Sequence, residues 1–388
     1  MKKVCVVTGT RAEYGLLKGL IVRLSEESDI ATKLVVTGAH LSQQYGMTLS
    51  EIEKDNIKID KKIKIIYDES DETTSEIMAK TLMEFGSYFK NNDIDLLIVL
   101  GDRYEIYAAC IAAMNSRIPI AHLHGGEVTE GAMDDAMRHC ITKMSALHFT
   151  STETYKKRVI QLGEAPEKVF NVGAICVDNI RKQKLLSKFE LEENIKIELG
   201  DKYAVATYHP VTLDNNNVRE EIETLVKAML LKNDYKYIIT KANADEGGNI
   251  VNKYLDEIKN QYSDRLLVVD SLGMLRYLTA LKYCKFVIGN SSSGIIEAPV
   301  MGIPTINIGT RQKGRLRCDS IIDIDMDEKQ IIKAIELAET EEMQKKAENN
   351  FDIYGSGNTA EKIVEIIKKE FKNDGINIVK KFYDINQE

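Results

Sequence analysis

Short β-branched runs alternate with helical patterns along the whole chain, and this alternation limits the fold more than any other feature. The runs Val4–Thr8, Thr32–Thr37, Leu96–Leu100, Ile118–Leu123, Ala146–Thr150 and Val169–Val172 read as parallel strands covered on both faces. Between the first two, Leu16, Leu17, Leu20, Ile21 and Leu24 return with a period of about 3.6 residues, the mark of an amphipathic helix. A second series begins at Tyr203–Tyr208 and continues through Tyr237–Thr240, Leu266–Val269, Phe286–Ile288 and Thr305–Ile308. Strand–helix–strand alternation twice over predicts an α/β protein of two Rossmann-like domains, each with its ligand loops at the carboxyl ends of its strands. A chain of 388 residues also exceeds what one core normally serves. Core-like runs pause in the charged stretch Arg181–Lys202, so the domains are expected at 1–180 and 181–358. A last helix, Thr359–Phe371, follows a break at Tyr354-Gly355-Ser356-Gly357-Asn358.

Composition removes several classes of function. No apolar run reaches the ~20 residues of a membrane span, and Met1 leads directly into a strand pattern without a secretory signature, so a cytoplasmic protein with no membrane partner is expected. The net charge of −8 argues against a nucleic-acid partner. Cys5, Cys110, Cys140, Cys176, Cys284 and Cys318 stand singly, with no CxxC or Cys/His spacing, and read as reduced thiols in the core.

The chemistry-bearing residues cluster where strands should end. Gly9-Thr10-Arg11-Ala12-Glu13-Tyr14-Gly15 lies between a strand and a helix, where free N–H groups suit a phosphate. It is not GxGxxG, and it equally fits an ordinary turn with an exposed arginine. Gly289-Asn290-Ser291-Ser292-Ser293-Gly294 is a stronger candidate, because three serines and two glycines at a strand-to-helix turn can converge on phosphate oxygens. Glu297 falls about one turn into the following helix, placed to receive both hydroxyls of a ribose. Arg311, Lys313 and Arg315 in the next strand-end loop supply charge facing that cradle. His209-Pro210 ends the first strand of the second domain, with the proline fixing the loop.

In the first domain, Gly101-Asp102-Arg103 ends one strand and His124-Gly125-Gly126-Glu127 follows the next, with Glu130, Asp134, Asp135, Arg138 and His139 close behind. Crowded carboxylates and imidazoles are what proton transfer requires, and crowding is expected to raise carboxylate pKa values. Asp102 and Glu127 also suit Mg²⁺. His122 and His124, alternating along one strand, would face opposite ways and make a poor ligand pair. No metal is expected.

Together these segments, with Asp134-Asp135-Ala136-Met137-Arg138-His139, His209-Pro210-Val211-Thr212 and Gly309-Thr310-Arg311-Gln312, resemble the hydrolysing UDP-N-acetylglucosamine 2-epimerases of sialic and legionaminic acid biosynthesis. The likeness covers nearly the whole chain, in order. It implies a GT-B-type fold with an interdomain cleft, residues 359–388 packing back on the first domain, and a homodimer or homotetramer. It implies conversion of UDP-GlcNAc and water to UDP and N-acetylmannosamine without a cofactor, or the same reaction on UDP-2,4-diacetamido-2,4,6-trideoxyglucose as the alternative. Carried over by motif, Arg11 and Arg103 line the phosphate side, while His209, Asn243, Ser271, Ser291, Ser292, Glu297 and Arg311 hold UDP. Asp102, Glu127, Asp134 and His209 are the implied catalytic groups. Two departures stand out: His124 replaces a carboxylate of non-hydrolysing relatives, and Gly15 replaces a serine of the animal enzyme. A glycosyltransferase of the same fold and a catalytically silent UDP-sugar sensor are the rival readings, the acid-rich 127–139 stretch speaking against the sensor.

Overall fold

The computed structural model describes residues 1–43, 47–67, 71–130, 133–210, 217–242, 247–349, 353–373 and 375–385. The chain divides into two compact units, one of Met1–Glu127, Met133–Asn179 and Gly357–Glu388, the other of Val128–Ala132 and Ile180–Ser356.

The first unit is built on seven strands: β1 (Lys2–Thr8), β2 (Ile30–Val36), β3 (Lys61–Lys62), β4 (Leu96–Leu100), β5 (Ile120–Leu123), β6 (Leu147–Thr150) and β7 (Val169–Asn171). They pair in parallel in the order β3-β2-β1-β4-β5-β6-β7. Alternate residues of each strand face opposite layers, and both layers are apolar. Val4, Val6, Leu96 and Ile98 pack with Leu17, Leu20 and Leu24 of helix Arg11–Ser25. Cys5, Val7, Leu97 and Val99 pack with Phe85, Phe89, Ile106 and Ala109 on the other side. Burial on both sides explains the near-continuous apolar runs.

Helix Thr359–Lys372 completes the first of these layers, burying Ile363, Val364 and Ile367 in it. Its start is fixed by the buried Asp178, whose carboxylate receives the N–H groups of Thr359 at 2.8 Å and Ala360 at 2.9 Å. Arg23 grips Glu361 through Nε and Nη2 at 2.5 and 2.9 Å.

The second unit repeats the plan with β8 (Tyr203–Thr207), β9 (Lys236–Thr240), β10 (Leu266–Val269), β11 (Val287–Gly289), β12 (Thr305–Ile308) and β13 (Ile321–Ile324), all parallel in the order β10-β9-β8-β11-β12-β13. In both sheets the order reverses beside the first strand, between β1 and β4 and between β8 and β11. Loops diverge there and leave a crevice at the carboxyl edge of an open α/β sheet.

Two edge strands, β3 and β13, escape the sequence pattern. The first is two exposed lysines; the second, Ile-Ile-Asp-Ile, is only half-buried. Five cysteines are buried as expected, but Cys140 is exposed on helix Met133–Met144, correcting its placement in the core. Among the described residues no helix is long and apolar enough to cross a membrane.

Candidate active site

Unit one gathers its polar groups at the carboxyl ends of β1, β4, β5 and β6. The turn after β5 is shaped by Gly126, whose φ is +80° and where a Cβ would lie 2.4 Å from the carbonyl oxygen of Tyr155. The turn starts at His124, a non-glycine residue held at φ +65°. Such a conformation costs of order 1 kcal/mol and persists where surrounding contacts impose it. Here Glu127, buried, accepts from Ser151 Oγ at 3.1 Å and lies 3.0 Å from His124 Nδ1 through the same oxygen. With Nδ1–H donating to this carboxylate, a neutral ring carries its lone pair on Nε2. Nε2 is buried with no hydrogen-bond partner among the described residues.

Beside this pair the buried Arg138 ties three chain segments together. Its Nη1 donates to the Glu127 carbonyl at 2.9 Å and to Asp135 at 3.0 Å, and its Nη2 pairs with Asp102. Asp135 also lies 3.5 Å from His139 Nε2. The acidic stretch is therefore not a bare carboxylate cluster. Asp134 stands exposed at the start of helix Met133–Met144. Glu130 belongs to the other unit, 3.2 Å from Lys313. Elsewhere burial is the chief cause that pushes two carboxyls up, Glu13 to about 8 and Glu297.

Two further corrections concern the same unit. His122 and His124 do not alternate along a strand, since β5 ends at Leu123. His122 is a fully buried structural residue between Thr142 Oγ1 at 3.1 Å and the Gly101 carbonyl at 2.8 Å, and burial holds it down to about 3. The Gly9–Thr10 turn is no open phosphate cradle either. Glu13 Oε2 takes the N–H groups of Gly9 at 2.7 Å and Thr10 at 3.2 Å, closing a capping box with Thr10. Arg11, the first residue of that helix, is half-exposed and lies 3.7 Å from Glu51. Arg103 caps helix Tyr104–Asn115 and donates from Nε to Glu105 at 2.7 Å.

Unit two builds its site on Asn290, a residue whose role the sequence motif alone did not reveal. Buried at the end of β11, it clamps the backbone of His209 at the end of β8. The His209 N–H donates to Oδ1 and Nδ2 donates to the His209 carbonyl, both at 2.7 Å. The carbonyl of Asn290 in turn accepts from Arg311 at 3.2 Å and from the buried Gln312 at 2.8 Å. Burial and the nearby Arg311 hold the His209 imidazole down to about 3, so it is neutral at physiological pH. Ser291 caps the short helix Ser292–Ile295 through the N–H of Ser293, and the Ser291 and Ser292 amides have no hydrogen-bond partner among the described residues. The helix breaks at Ile296, so Glu297 opens a new turn, Glu297–Val300, rather than continuing the old one. The local chain turns because Ile296 lies at φ −110° and ψ −58°. Ser271 receives the Gly273 N–H at 3.0 Å before helix Gly273–Tyr283. Of the three expected cations only Arg311 joins the end of β11. Lys313 reaches Glu130, and Arg315 donates to Thr129 Oγ1 at 3.4 Å. Asn243, Val211 and Thr212 lie outside the described residues. No group of three or more His, Cys, Asp or Glu suited to a metal ion occurs among those described.

Two open parallel sheets, each with polar groups at its switch point, define a GT-B-type α/β protein. The same fold appears in the crystal structure of UDP-GlcNAc 2-epimerase from Neisseria meningitidis bound to UDP-GlcNAc, at a TM-score of 0.82 over 95% of this chain and 100% of that one, with 20% identity. Residues 22–368 match the UDP-N-acetylglucosamine 2-epimerase family, and the chain belongs to it. It is 40% identical to the GDP/UDP-N,N'-diacetylbacillosamine 2-epimerase (hydrolyzing) of Campylobacter jejuni, covering 99% of both chains. It is 41% identical to polysialic acid biosynthesis protein P7 of Escherichia coli, covering 99% of this chain and 98% of that one. Identity to the UDP-N,N'-diacetylbacillosamine 2-epimerase (hydrolyzing) of Legionella pneumophila is 32%, over 95% and 96% of the two chains.

Proposed function

We propose that this protein is a hydrolysing 2-epimerase of a UDP-2-acetamido sugar, that its substrate is UDP-N,N'-diacetylbacillosamine, and that it works in the cytoplasm. The observation that carries the substrate is the end-to-end similarity to two hydrolysing enzymes named for it, at 40% and 32% identity. The sequence motifs put UDP-GlcNAc first and the diacetamido sugar second; the relatives reverse that order. UDP-GlcNAc, yielding N-acetylmannosamine for sialic acid, is the second reading, favoured by the 41% identity to the polysialic acid protein.

In the reaction the C2 proton passes to a protein base as the C1–O bond to UDP breaks, giving a 2-acetamidoglycal. Water then adds across the double bond, hydroxyl to C1 and a proton to C2 from the opposite face, releasing the 2-epimeric free sugar. The C2–H is weakly acidic, so the leaving diphosphate needs stabilisation while a base acts. Unit two supplies the UDP grip: the Ser291 and Ser292 amides and Arg311 for the diphosphate, Glu297 for the ribose hydroxyls, with Ser271, Asn243 and the neutral His209 completing it. Arg11 and Arg103 of unit one serve the phosphate charge. His124, oriented by Glu127, is the base, its Nε2 lone pair available and its strained backbone held for that purpose. Asp102 and Asp134 supply the remaining acid, Asp102 sharing Arg138 with Asp135.

Shape-preserving variants test these roles. Glu127→Gln should lose about 10²–10⁴-fold in kcat, the usual weight of acid–base catalysis, while UDP affinity by calorimetry stays within about threefold of the parent. If Glu127→Gln, Asp102→Asn and Asp134→Asn all kept parental kcat, the catalytic assignment would be wrong.

A further inference from the structure

A buried knot of three charges sits at the switch point of the first sheet, between the ends of β1 and β4. Glu13 comes from the start of helix Arg11–Ser25, and Glu105 from the start of helix Tyr104–Asn115, with Arg103 capping the latter. Glu13 and Glu105 are only 6% and 1% exposed, whereas the Arg103 side chain is 38% exposed. The packing around the carboxyls is tight. A Cβ added at Gly9 would lie 2.8 Å from Glu105 Oε1, and one at Gly38 would lie 2.8 Å from the Gly9 carbonyl and 3.3 Å from Glu105 Oε1.

The hydrogen bonds leave an odd remainder. Arg103 is tethered through Nε to Glu105 Oε1, and its two terminal amino groups make no hydrogen bond among the described residues. Glu13 Oε2 is committed to Gly9 and Thr10, while Glu13 Oε1 and Glu105 Oε2 are both buried without a hydrogen-bond partner. Two ionised carboxylates around one guanidinium would bury a net negative charge, which is costly at such depth. A single proton on the pair removes that charge.

We propose that Glu105 is the positioning residue of Arg103, and that Glu13 and Glu105 hold one proton between them that sets how strongly Arg103 meets the diphosphate of the substrate. The proposal rests on the reading that Arg103 serves the phosphate charge. Glu13 carries the proton, because Glu105 has the direct bond to Arg103. Burial first, and then the Glu105 charge, push Glu13 up to about 8, against Arg103 and the Gly9 and Thr10 amides. The other titratable or charged groups packed at this corner are Tyr104, whose ring centre lies 5.5 Å from the Arg103 guanidinium, His40 of the Gly38–Leu41 turn, held down to about 4 by burial, and Arg11 and Tyr14 on Glu13's own helix, which contact Glu51 and Asp55. When Glu13 ionises, a second negative charge joins the knot and offsets the charge Arg103 presents to phosphate.

Calorimetric titration of the full chain with UDP at pH 6.5 and pH 9 tests this, using wild type, Glu13→Gln and Glu105→Gln. Wild type should bind UDP about three- to tenfold more weakly at pH 9, the size of one added screened charge. Glu13→Gln keeps the acceptor for Gly9 and cannot ionise, so its affinity should change between the two pH values only by what proton loss from the uracil ring costs all three proteins. Glu105→Gln should move the decline to lower pH, since Glu13 loses its neighbour's charge while its burial remains. It should bind about three- to tenfold more weakly than wild type at pH 6.5, because the charged anchor of Nε is gone. Proton loss from the uracil ring acts equally on all three proteins, so the ratio of wild type to variant isolates the pair. A decline in Glu13→Gln equal to that of wild type overturns the proposal, as does wild-type affinity that is flat between the two pH values. The second result decides the matter even if a variant fails to fold. Wild type that binds no UDP at either pH would overturn the functional reading itself, a different failure from either of these.

Discussion

Gly289 occupies a backbone state that other residue types cannot share. Its φ is +132°, and a Cβ there would stand 1.9 Å from the carbonyl oxygen of Thr207 on the neighbouring strand. The strand ends that carry His209 and Asn290 can approach only because that Cβ is missing. Gly289→Ala must therefore spread β8 from β11 and pull the Asn290 clamp off His209. The expected cost is about 2 kcal/mol or more, from strain and lost hydrogen bonds, with a Tm lower by several degrees and UDP binding weakened at least about tenfold. A Gly289→Ala protein with parental Tm and UDP affinity would show that the crossing is looser than described. At this scale the sequence displayed the right kinds of residue but not their pairings. Asn290 and Ser291–Ser292 were visible as a motif, yet nothing local says that Asn290 spends its side chain on His209 rather than on a ligand. Arg138 bridging Asp102 and Asp135, and Glu13 meeting Glu105, depend on which strand ends the sheet order places side by side. The placing of His124 on a strand fails for a related reason: β5 ends at Leu123, where its apolar run ends, and the left-handed residue that follows breaks the alternation assumed to carry on through His124.

Among the elements, helix Thr359–Lys372 shows how a distant segment is built into a core. Its apolar stripe fills a layer that the first strands leave open, and its first turn would present unmet N–H groups at a buried position. Asp178 answers two of them. Removing that carboxylate leaves buried donors unmet, at about 1.5–3 kcal/mol. For a unit of this size, Asp178→Ala should lower Tm by roughly 4–10 °C, and Asp178→Asn by less, because its amide oxygen still accepts. A change below about 1 °C in Asp178→Ala would mean that packing alone fixes the helix start. The central strands were legible because parallel strands buried on both faces must be apolar along their length. The edge strands were not: β3 is two lysines, and the polar Asp323 of β13 serves Asn307 and Arg317. Edges need cover one face only, so their sequences carry a weaker signal.

For the whole molecule, one arrangement is used twice. Each unit is an open parallel sheet whose strand order reverses beside its first strand, and each concentrates its polar side chains at that reversal. The division of labour follows from what each unit presents there: amides, serines and a neutral histidine in the second, titratable pairs neutralised by arginines in the first. That contrast underlies the assignment of UDP capture to one and proton transfer to the other. The most direct measurement is a competition in D₂O, with equal amounts of UDP-N,N'-diacetylbacillosamine and UDP-GlcNAc and no acceptor, the products followed by NMR. The predicted result is release of UDP with free 2,4-diacetamido-2,4,6-trideoxymannose carrying deuterium at C2, formed about tenfold or more faster than N-acetylmannosamine, the selectivity that one well-read substituent supplies. Preferential formation of N-acetylmannosamine would contradict the substrate, and a product with no deuterium at C2 would contradict elimination and with it the epimerase mechanism.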